Sequence, residues 1–552
     1  MNNTAYASFG SWGAGLAVDW NITGTLLEDA RRIAKAMPHR SIFYPAILCL
    51  ALVHAAAQQP CENLTALSLP GVKITLATAV PAGEFALPSA RANAPAVTVP
   101  AFCRVAGVIN AEVHFEIWMP ADWNRKFLAV GNGGLAGNIS YAAMLAPLGR
   151  GYATGSTDTG HVASDEAWAL GHMQRVIDFA HRAVHVMTQA DKAIIQAFYG
   201  AAPAHSYFQG CSQGGQEALT EAQRYPRDFD GIIAGDPANY WTHLYLGAHL
   251  WITQATQQDP ASYLPASKIP ALAAAVNDAC DALDGIKDGI INDPRRCHFE
   301  PSTLLCKNGD AADCLTAPQV EAVRKIYQGA HSSDGQPIFP GILPGAEDGP
   351  GGWANWITGS EPGKAAHTAL GMPFLRYVAF EDPAWDFRTF SFDKKPGFDS
   401  DVEFVDNKLG PIFNNINPDL RAFRANGGRL IQYHGFNDPD ISPLNSINYY
   451  QSVAEFMNRD ATAVGNFYRL FLVPGMQHCA GGPGPTHFDM IDALDQWVDH
   501  GKAPEQIVAS HTTNGKVDRT RPLCPYPLQA QWKGSGSTDE AQNFSCVAAP
   551  AQ

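Results

Sequence analysis

The stretch Tyr207-Phe208-Gln209-Gly210-Cys211-Ser212-Gln213-Gly214-Gly215 limits what this chain can fold into more than any other. Strand-forming residues lead into Gly210-Cys211-Ser212-Gln213-Gly214, which fits G-x-S-x-G, and a proline-free run from Gln216 to Tyr225 follows with good helix formers. The pattern predicts strand, sharp turn, helix. So tight a turn holds its central residue in a strained backbone conformation, its flanks need glycine, and the serine hydroxyl is pushed clear of the sheet. Ser212 is the candidate nucleophile. In a chain with 50 glycines the five residues alone read equally well as a plain Gly/Ser turn, and the adjoining cysteine breaks the tie.

Pro474-Gly475-Met476-Gln477-His478-Cys479 sets a histidine beside a cysteine in the same way. If Cys211 and Cys479 are bonded, their Cα atoms lie about 5.5–6 Å apart, and Ser212 and His478 come within side-chain reach. A serine hydroxyl is a poor nucleophile until a neutral imidazole takes its proton, so this closeness is what the chemistry needs. Between the two, Leu430-Ile431-Gln432-Tyr433-His434-Gly435-Phe436-Asn437-Asp438 is an apolar strand running into a turn that ends in a carboxylate. Asp438 is the candidate to hold the second ring nitrogen of His478, with Asp236 in Gly231-Ile232-Ile233-Ala234-Gly235-Asp236-Pro237 as its rival. The order Ser, Asp, His is that of the α/β-hydrolase fold.

Gly-Cys-Ser-Gln-Gly-Gly, His-Gly-x-x-Asp and Gly-Met-x-His-Cys, in this order, resemble the tannase and feruloyl esterase family, whose members join the cysteines flanking the triad serine and histidine. The likeness runs from about Cys61 to Cys546. It implies an α/β-hydrolase fold with a large inserted lid, and a serine esterase acting on aromatic acid esters.

Length and composition agree with that size and class. A chain of 552 residues is too long for one ordinary core, and 46% hydrophobic with 16% charged residues describes a globular protein. A net charge of −15 argues against a nucleic-acid partner. Met37-Pro38-His39-Arg40, the apolar run Ile42 to Val53 and Ala55-Ala56-Ala57 read as a signal peptide over 37–57, cleaved after Ala57, with 1–36 a non-native extension. The apolar run is too short to span a bilayer, so the protein is expected to be secreted, extracellular or periplasmic, without membrane attachment. Of eleven cysteines, Cys49 lies in that signal, leaving ten, an even number suited to disulfides whose pairing sequence alone leaves open. The resemblance implies Cys61 with Cys103, Cys211 with Cys479, Cys280 with Cys297, Cys306 with Cys314 and Cys524 with Cys546.

Short alternating segments between Val72 and Pro120 predict antiparallel strands. Lys126 to Val130 is a buried strand running into Gly131-Asn132-Gly133-Gly134, a turn whose amides can approach a ligand closely. In an α/β-hydrolase this loop gives one half of the oxyanion hole and the amide after the nucleophile gives the other, so Gly134, taken over Gly133, and Gln213 are the candidates. Asp158 and His161 precede the serine, against the expected order, and read as scaffold. His172 to Tyr199 has helical spacing and stops at Gly200; His181 and His185 lie four apart within it, lack the glutamate of H-E-x-x-H, and read as packing or surface residues.

From Asn239 to about Phe423 the alternation of strand and helix is lost. This is read as a lid, 239–423, inserted between hydrolase segments 58–238 and 424–552. Its aromatics around Phe374 and Trp385 suit either an acyl pocket or the lid's own core. Asp281-Ala282-Leu283-Asp284-Gly285-Ile286-Lys287-Asp288-Gly289-Ile290 puts three carboxylates on one tight loop, an arrangement a hard cation favours. The resemblance implies structural Ca²⁺ held by Asp281, Asp284, Asp288 and the carbonyls of Ile286 and Ile290, and no organic cofactor.

The expected substrate is a small-molecule or polysaccharide-linked aromatic ester, feruloyl first. Gallate esters of the tannase type and terephthalate monoesters are alternatives. A serine peptidase shares the chemistry, and a catalytically inactive wall-binding protein would share the fold without needing Ser212, Asp438 and His478 together.

Overall fold

The computed structural model describes residues 59–88, 95–345, 347–394, 400–458 and 464–548. The extension of 1–36 and the signal peptide of 37–57 lie outside the described residues.

Nine strands form one sheet: β1 (Val72–Val80), β2 (Phe102–Ile109), β3 (Val113–Pro120), β4 (Lys126–Val130), β5 (Ala153–Thr157), β6 (His205–Cys211), β7 (Gly231–Gly235), β8 (Arg429–Gly435) and β9 (Tyr468–Val473). Their spatial order is β1-β2-β3-β5-β4-β6-β7-β8-β9. β1, β2 and β3 pair antiparallel, as the alternating segments predict, and β5 joins β3 antiparallel as well. From β5 through β4 to β9 every pairing is parallel, so the C-terminal ends of β4, β6, β7, β8 and β9 share one edge.

Period-two alternation gives the sheet two apolar faces. Phe115, Ile117, Phe127, Ala129, Phe208, Ile232 and Leu430 point to one side, where they pack with residues of α2 (Ala183–Tyr199), α3 (Gln213–Arg224) and α4 (Pro443–Asn458). Trp118, Leu128, Tyr207, Ile233 and Ile431 point to the other, under Met144 and Leu148 of α1 (Tyr141–Gly149) and Leu494 and Trp497 of α5 (Met490–His500). A mixed sheet covered by helices on both faces is the α/β-hydrolase arrangement expected from the sequence.

The helix expected over His172–Tyr199 is continuous but not uniform: a π turn, Asp178–Arg182, precedes α2, and Gly200 ends it at φ 72°. The π turn is the point where the helix changes cores. Val176, Phe179 and Ala180 pack with residues between β7 and β8, whereas Ala183, Val184 and Met187 pack under the sheet. Since β7 and β8 are adjacent parallel strands, the chain between them leaves the sheet and returns. That excursion has its own core of Trp241, Tyr245, Trp353, Phe374 and Phe413, so Phe374 is internal packing; Trp385 stacks on Phe380 at 4.7 Å. All five disulfides implied by the resemblance are present. Among the described residues no helix is long and apolar enough to cross a membrane.

Candidate active site

Ser212 stands between β6 and α3 with φ 65° and ψ −119°, the strained turn the motif predicts. Its neighbours leave no room for side chains: a Cβ on Gly210 would lie 2.4 Å from the Gly214 carbonyl oxygen, and one on Gly214 would lie 2.8 Å from that of Asn132. Gln213 opens α3, so its amide has no acceptor within the helix and is free for a ligand.

The Cys211–Cys479 disulfide holds these Cα atoms 5.9 Å apart across 268 residues. His478 precedes Cys479 and sits behind the end of β9. Its Nδ1 lies 2.7 Å from Asp438 Oδ2, and Asp438 is fully buried beyond β8. The other oxygen of Asp438 accepts from the amides of Asp440 at 2.7 Å and Ile441 at 3.0 Å, which fixes the carboxylate's orientation. His434 Nε2 lies 3.4 Å from Asp438 as well. Two turns thus meet, and Asn437 Oδ1 ties them further by accepting from the Gly475 amide at 2.8 Å.

Asp236, the rival acid, is placed differently. Its carboxylate accepts from the Gly435 amide at 2.7 Å and from the Cys479 amide, joining the end of β7 to the turns that carry Asp438 and His478. Among the described residues it makes no hydrogen bond to an imidazole, and burial lifts its carboxyl to about 6. His478 behaves in the opposite sense. Burial disfavours its imidazolium, and the carboxylates of Asp438, Asp440 and Asp236 more than offset this, lifting it to about 10.

The loop carrying Gly134 is braced against α3. Gly214 N donates to Asn132 O at 2.9 Å, while Glu217 accepts from Asn132 N at 2.9 Å and from Gln213 Nε2 at 2.8 Å. Glu217 is buried with one cause pushing it up, its desolvation, which brings it to about 7. Gly134 itself adopts φ 60°, and Leu370 lies over it. Half-buried Trp356 presents an edge to His478 at 4.9 Å and faces His367 at 5.9 Å. The excursion between β7 and β8 therefore supplies one wall of the site.

Asp158 and His161 are scaffold, as expected: Asp158 accepts from the amides of His114 and Gly160, and His161 stacks on Trp168 at 3.9 Å. His181 meets the Tyr225 hydroxyl at 2.9 Å and His185 meets Asp228 at 2.5 Å, both away from the site. His487 pairs by its backbone with Ser510. No sequence signal marked Asp440, His249, His367, Trp356 or Glu217, since none belongs to a spaced motif.

Among the described residues three groups hold potential metal-ligating atoms within 4.8 Å: Cys211, Asp236 and Cys479; Asp236, Asp438 and His478; and His249, His367 and Asp440. The first spends both sulfurs on a disulfide and the second is the array just described. In the third, Nδ1 of both histidines lacks the hydrogen-bond partner that a metal-bound imidazole normally has.

The acidic loop has a different donor set. Asp281 accepts from Gly289 N at 3.1 Å, Asp284 from Ile286 N at 2.9 Å, and Asp288 from Ile290 N at 3.2 Å and Arg521 Nη2 at 2.9 Å. Burial raises the Asp284 carboxyl, and the charges of Asp288 and Asp281 add to that. Three carboxylates share this short loop with the carbonyl-bearing Ile286 and Ile290, the oxygen donor types that a hard divalent cation favours, but their oxygens are not gathered within 4.8 Å of one another and each is held by a backbone amide of the loop. In chemistry the residues fit Ca²⁺, although Arg521 already supplies part of the countercharge.

The profile of the family described as "Tannase and feruloyl esterase" matches residues 96–547. An uncharacterised esterase of Xanthomonas campestris pv. campestris is 40% identical, with 90% of this chain and 93% of the relative covered. Mono(2-hydroxyethyl) terephthalate hydrolase of Piscinibacter sakaiensis is 34% identical, covering 84% and 87%. The crystal structure of feruloyl esterase B from Aspergillus oryzae superposes with a TM-score of 0.80 at 29% identity, covering 88% of this chain and 99% of that one. With the strained serine turn, the cross-linked histidine and this likeness over nearly its whole described length, the chain belongs to the tannase and feruloyl esterase family and is an ester hydrolase.

Proposed function

We propose that the protein is a secreted serine carboxylesterase of aromatic acid esters, with feruloyl esters first. The observation that supports this reading is the junction of Cys211 and Cys479, which ties the strained turn of Ser212 to the turn of a histidine held at Nδ1 by Asp438. Ser212 Oγ attacks the ester carbonyl as neutral His478 takes its proton, and the acyl–serine bond forms as the C–O bond to the alcohol breaks. His478 returns the proton to the leaving alcohol. Water then attacks the acyl-enzyme and gives its proton to the same imidazole, which passes it to Ser212 Oγ as the acyl–serine bond breaks and the acid leaves. Asp438 keeps the imidazole oriented and stabilises its charged form. The amides of Gln213 and Gly134 hold the tetrahedral oxyanion, where one donor is typically worth about 10²–10³ in rate.

The substrate class is supported by a relative named for a terephthalate monoester and a structural neighbour named for feruloyl esters. Trp356 beside His478 gives an aromatic acid a ring to pack against. The test is a comparison of kcat/KM on matched feruloyl, galloyl and mono(2-hydroxyethyl) terephthalate esters, with Ser212→Ala as the control. Feruloyl preference is the expected outcome; preference for either other ester reassigns the substrate, and full turnover by Ser212→Ala removes the serine mechanism. Ca²⁺, when bound at Asp281, Asp284 and Asp288 with the carbonyls of Ile286 and Ile290, supplies charge neutralisation to the fold and takes no part in the reaction.

A further inference from the structure

We infer that Asp440 is a positioning residue for His478, a second carboxylate set against the ring nitrogen that must face Ser212, and that it raises the pH above which the imidazole is free to act. This rests on the reading of Ser212 and His478 as nucleophile and base. A serine triad needs one carboxylate on its histidine, and Asp438 fills that place on Nδ1 at 2.7 Å. Asp440 Oδ2 lies on the opposite side of the ring, 3.6 Å from Nε2. That is too long for a good hydrogen bond and well within the range where an opposite charge stabilises an imidazolium.

The carboxylate is not free to turn away. Its other oxygen accepts from His249 Nε2 at 2.9 Å, and His367 Nε2 stands 3.1 Å from the same atom, off the alignment of a hydrogen bond. His249 and His367 are each 1% exposed and Asp440 is 3% exposed, so water and salt screen little of the charge. Burial keeps His367 neutral, so it does not cancel Asp440.

The other groups facing this centre come from three further places. Asp236, at the end of β7, is committed to the backbone amides of Gly435 and Cys479. His434, on β8, stands against Asp438. Tyr245, from the excursion, packs its ring on His249 at 4.6 Å and stays a neutral phenol because burial raises it. Asp440 is thus the carboxylate placed directly against Nε2. A base must be neutral to accept the serine proton, so a carboxylate that favours the imidazolium moves the rise of activity to higher pH.

The test is kcat/KM against pH on a soluble aryl ester for the wild-type chain, Asp440→Asn and Asp440→Glu. Asp440→Asn is expected to move the acid limb down by about one pH unit or more, the size of effect a close opposite charge has on a pKa, while Asp440→Glu keeps a limb near that of the wild type. An unmoved limb in folded Asp440→Asn overturns the role given to Asp440. Should that variant not fold, Asp440→Ser takes its place and the His478 ring proton is titrated by NMR in Ser212→Ala with and without it; a lower midpoint without the carboxylate supports the inference, and an unchanged one overturns it. His478→Ala separates the two readings: wild-type turnover in it removes the base itself, whereas its inactivity beside an unmoved Asp440→Asn limb removes only the second carboxylate.

Discussion

Glu217 joins the Gly131–Gly134 turn to α3, the two segments proposed to hold the oxyanion, one oxygen taking the Asn132 amide and the other the Gln213 side chain. Removing it frees the Gly131–Gly134 turn from α3, so Glu217→Ala should lower kcat by up to about 10²-fold with KM little changed, read by steady-state kinetics. Glu217→Gln should keep most of the rate, because the buried Gln213 Oε1 has no partner and an amide flip would offer it to the new NH₂ group. The same substitution has a pH signature. Burial raises Glu217 to about 7, so the stability tied to its protonated form is complete below the ordinary glutamate range near 4.5 and is lost as pH rises through about 7. Thermal melts should therefore show Glu217→Gln gaining on wild type at pH 8 but not at pH 4.5; equal differences at both would refute the burial effect. The strained turn at Ser212 and the pairing of Asp438 with His478 were legible because each residue sits in a spaced motif at a strand end. Glu217, Asp440, His249 and His367 were not, because their roles arise only when separate segments meet.

Elements were legible to the extent that their environment was uniform along their length. The strands of the sheet alternate between two apolar faces, and α3 follows directly from the serine turn, so both could be read from residue types. The helix through α2 could be read for its extent but not for its π turn, since the change from one core to another is a tertiary event. The Cys211–Cys479 bond acts at this scale too, tying the end of β6 to the turn after β9, where both Ser212 and Cys479 have positive φ. Replacing both cysteines by serine should cost about 2–5 kcal/mol in denaturant unfolding. It should also cut kcat by about 10² or more, because misplacement of reacting groups by about 1 Å is enough for that. Wild-type kcat in a measurably destabilised double variant would show that the Asp236 tie to Cys479 and Gly435 alone aligns the site.

At the scale of the molecule, the acidic loop connects the excursion between β7 and β8 to two antiparallel strand pairs near the C terminus, Ile507–Thr513 with Lys516–Leu523 and Leu528–Trp532 with Phe544–Ala548. Asp288 accepts from Arg521 at 2.9 Å, Asp293 accepts from Gln529 at 2.6 Å, and the Cys280–Cys297 disulfide closes the loop behind them. Gly345 and Pro344, further along the same excursion, reach Asn437 beside Asp438, and Asp348 reaches Gln477 beside His478. Loosening the loop therefore acts first on the seam between excursion and C terminus, and on the site only through that seam. If Ca²⁺ neutralises Asp281, Asp284 and Asp288, chelation leaves the three carboxylates of one loop with Arg521 and Arg519, both at Asp288, as their nearby cations, and the melting temperature should fall by several degrees. Readdition of Ca²⁺ should restore it, while Mg²⁺, which holds its water more tightly and prefers octahedral sites, should not. Asp284→Asn should weaken the response to chelator, because it removes one of the charges that the ion relieves. At saturating substrate and moderate temperature kcat should change little, since the ion lies outside the chemistry. An unchanged melt together with protein free of bound calcium would mean that Arg521 and the loop's own amides suffice to hold the carboxylates.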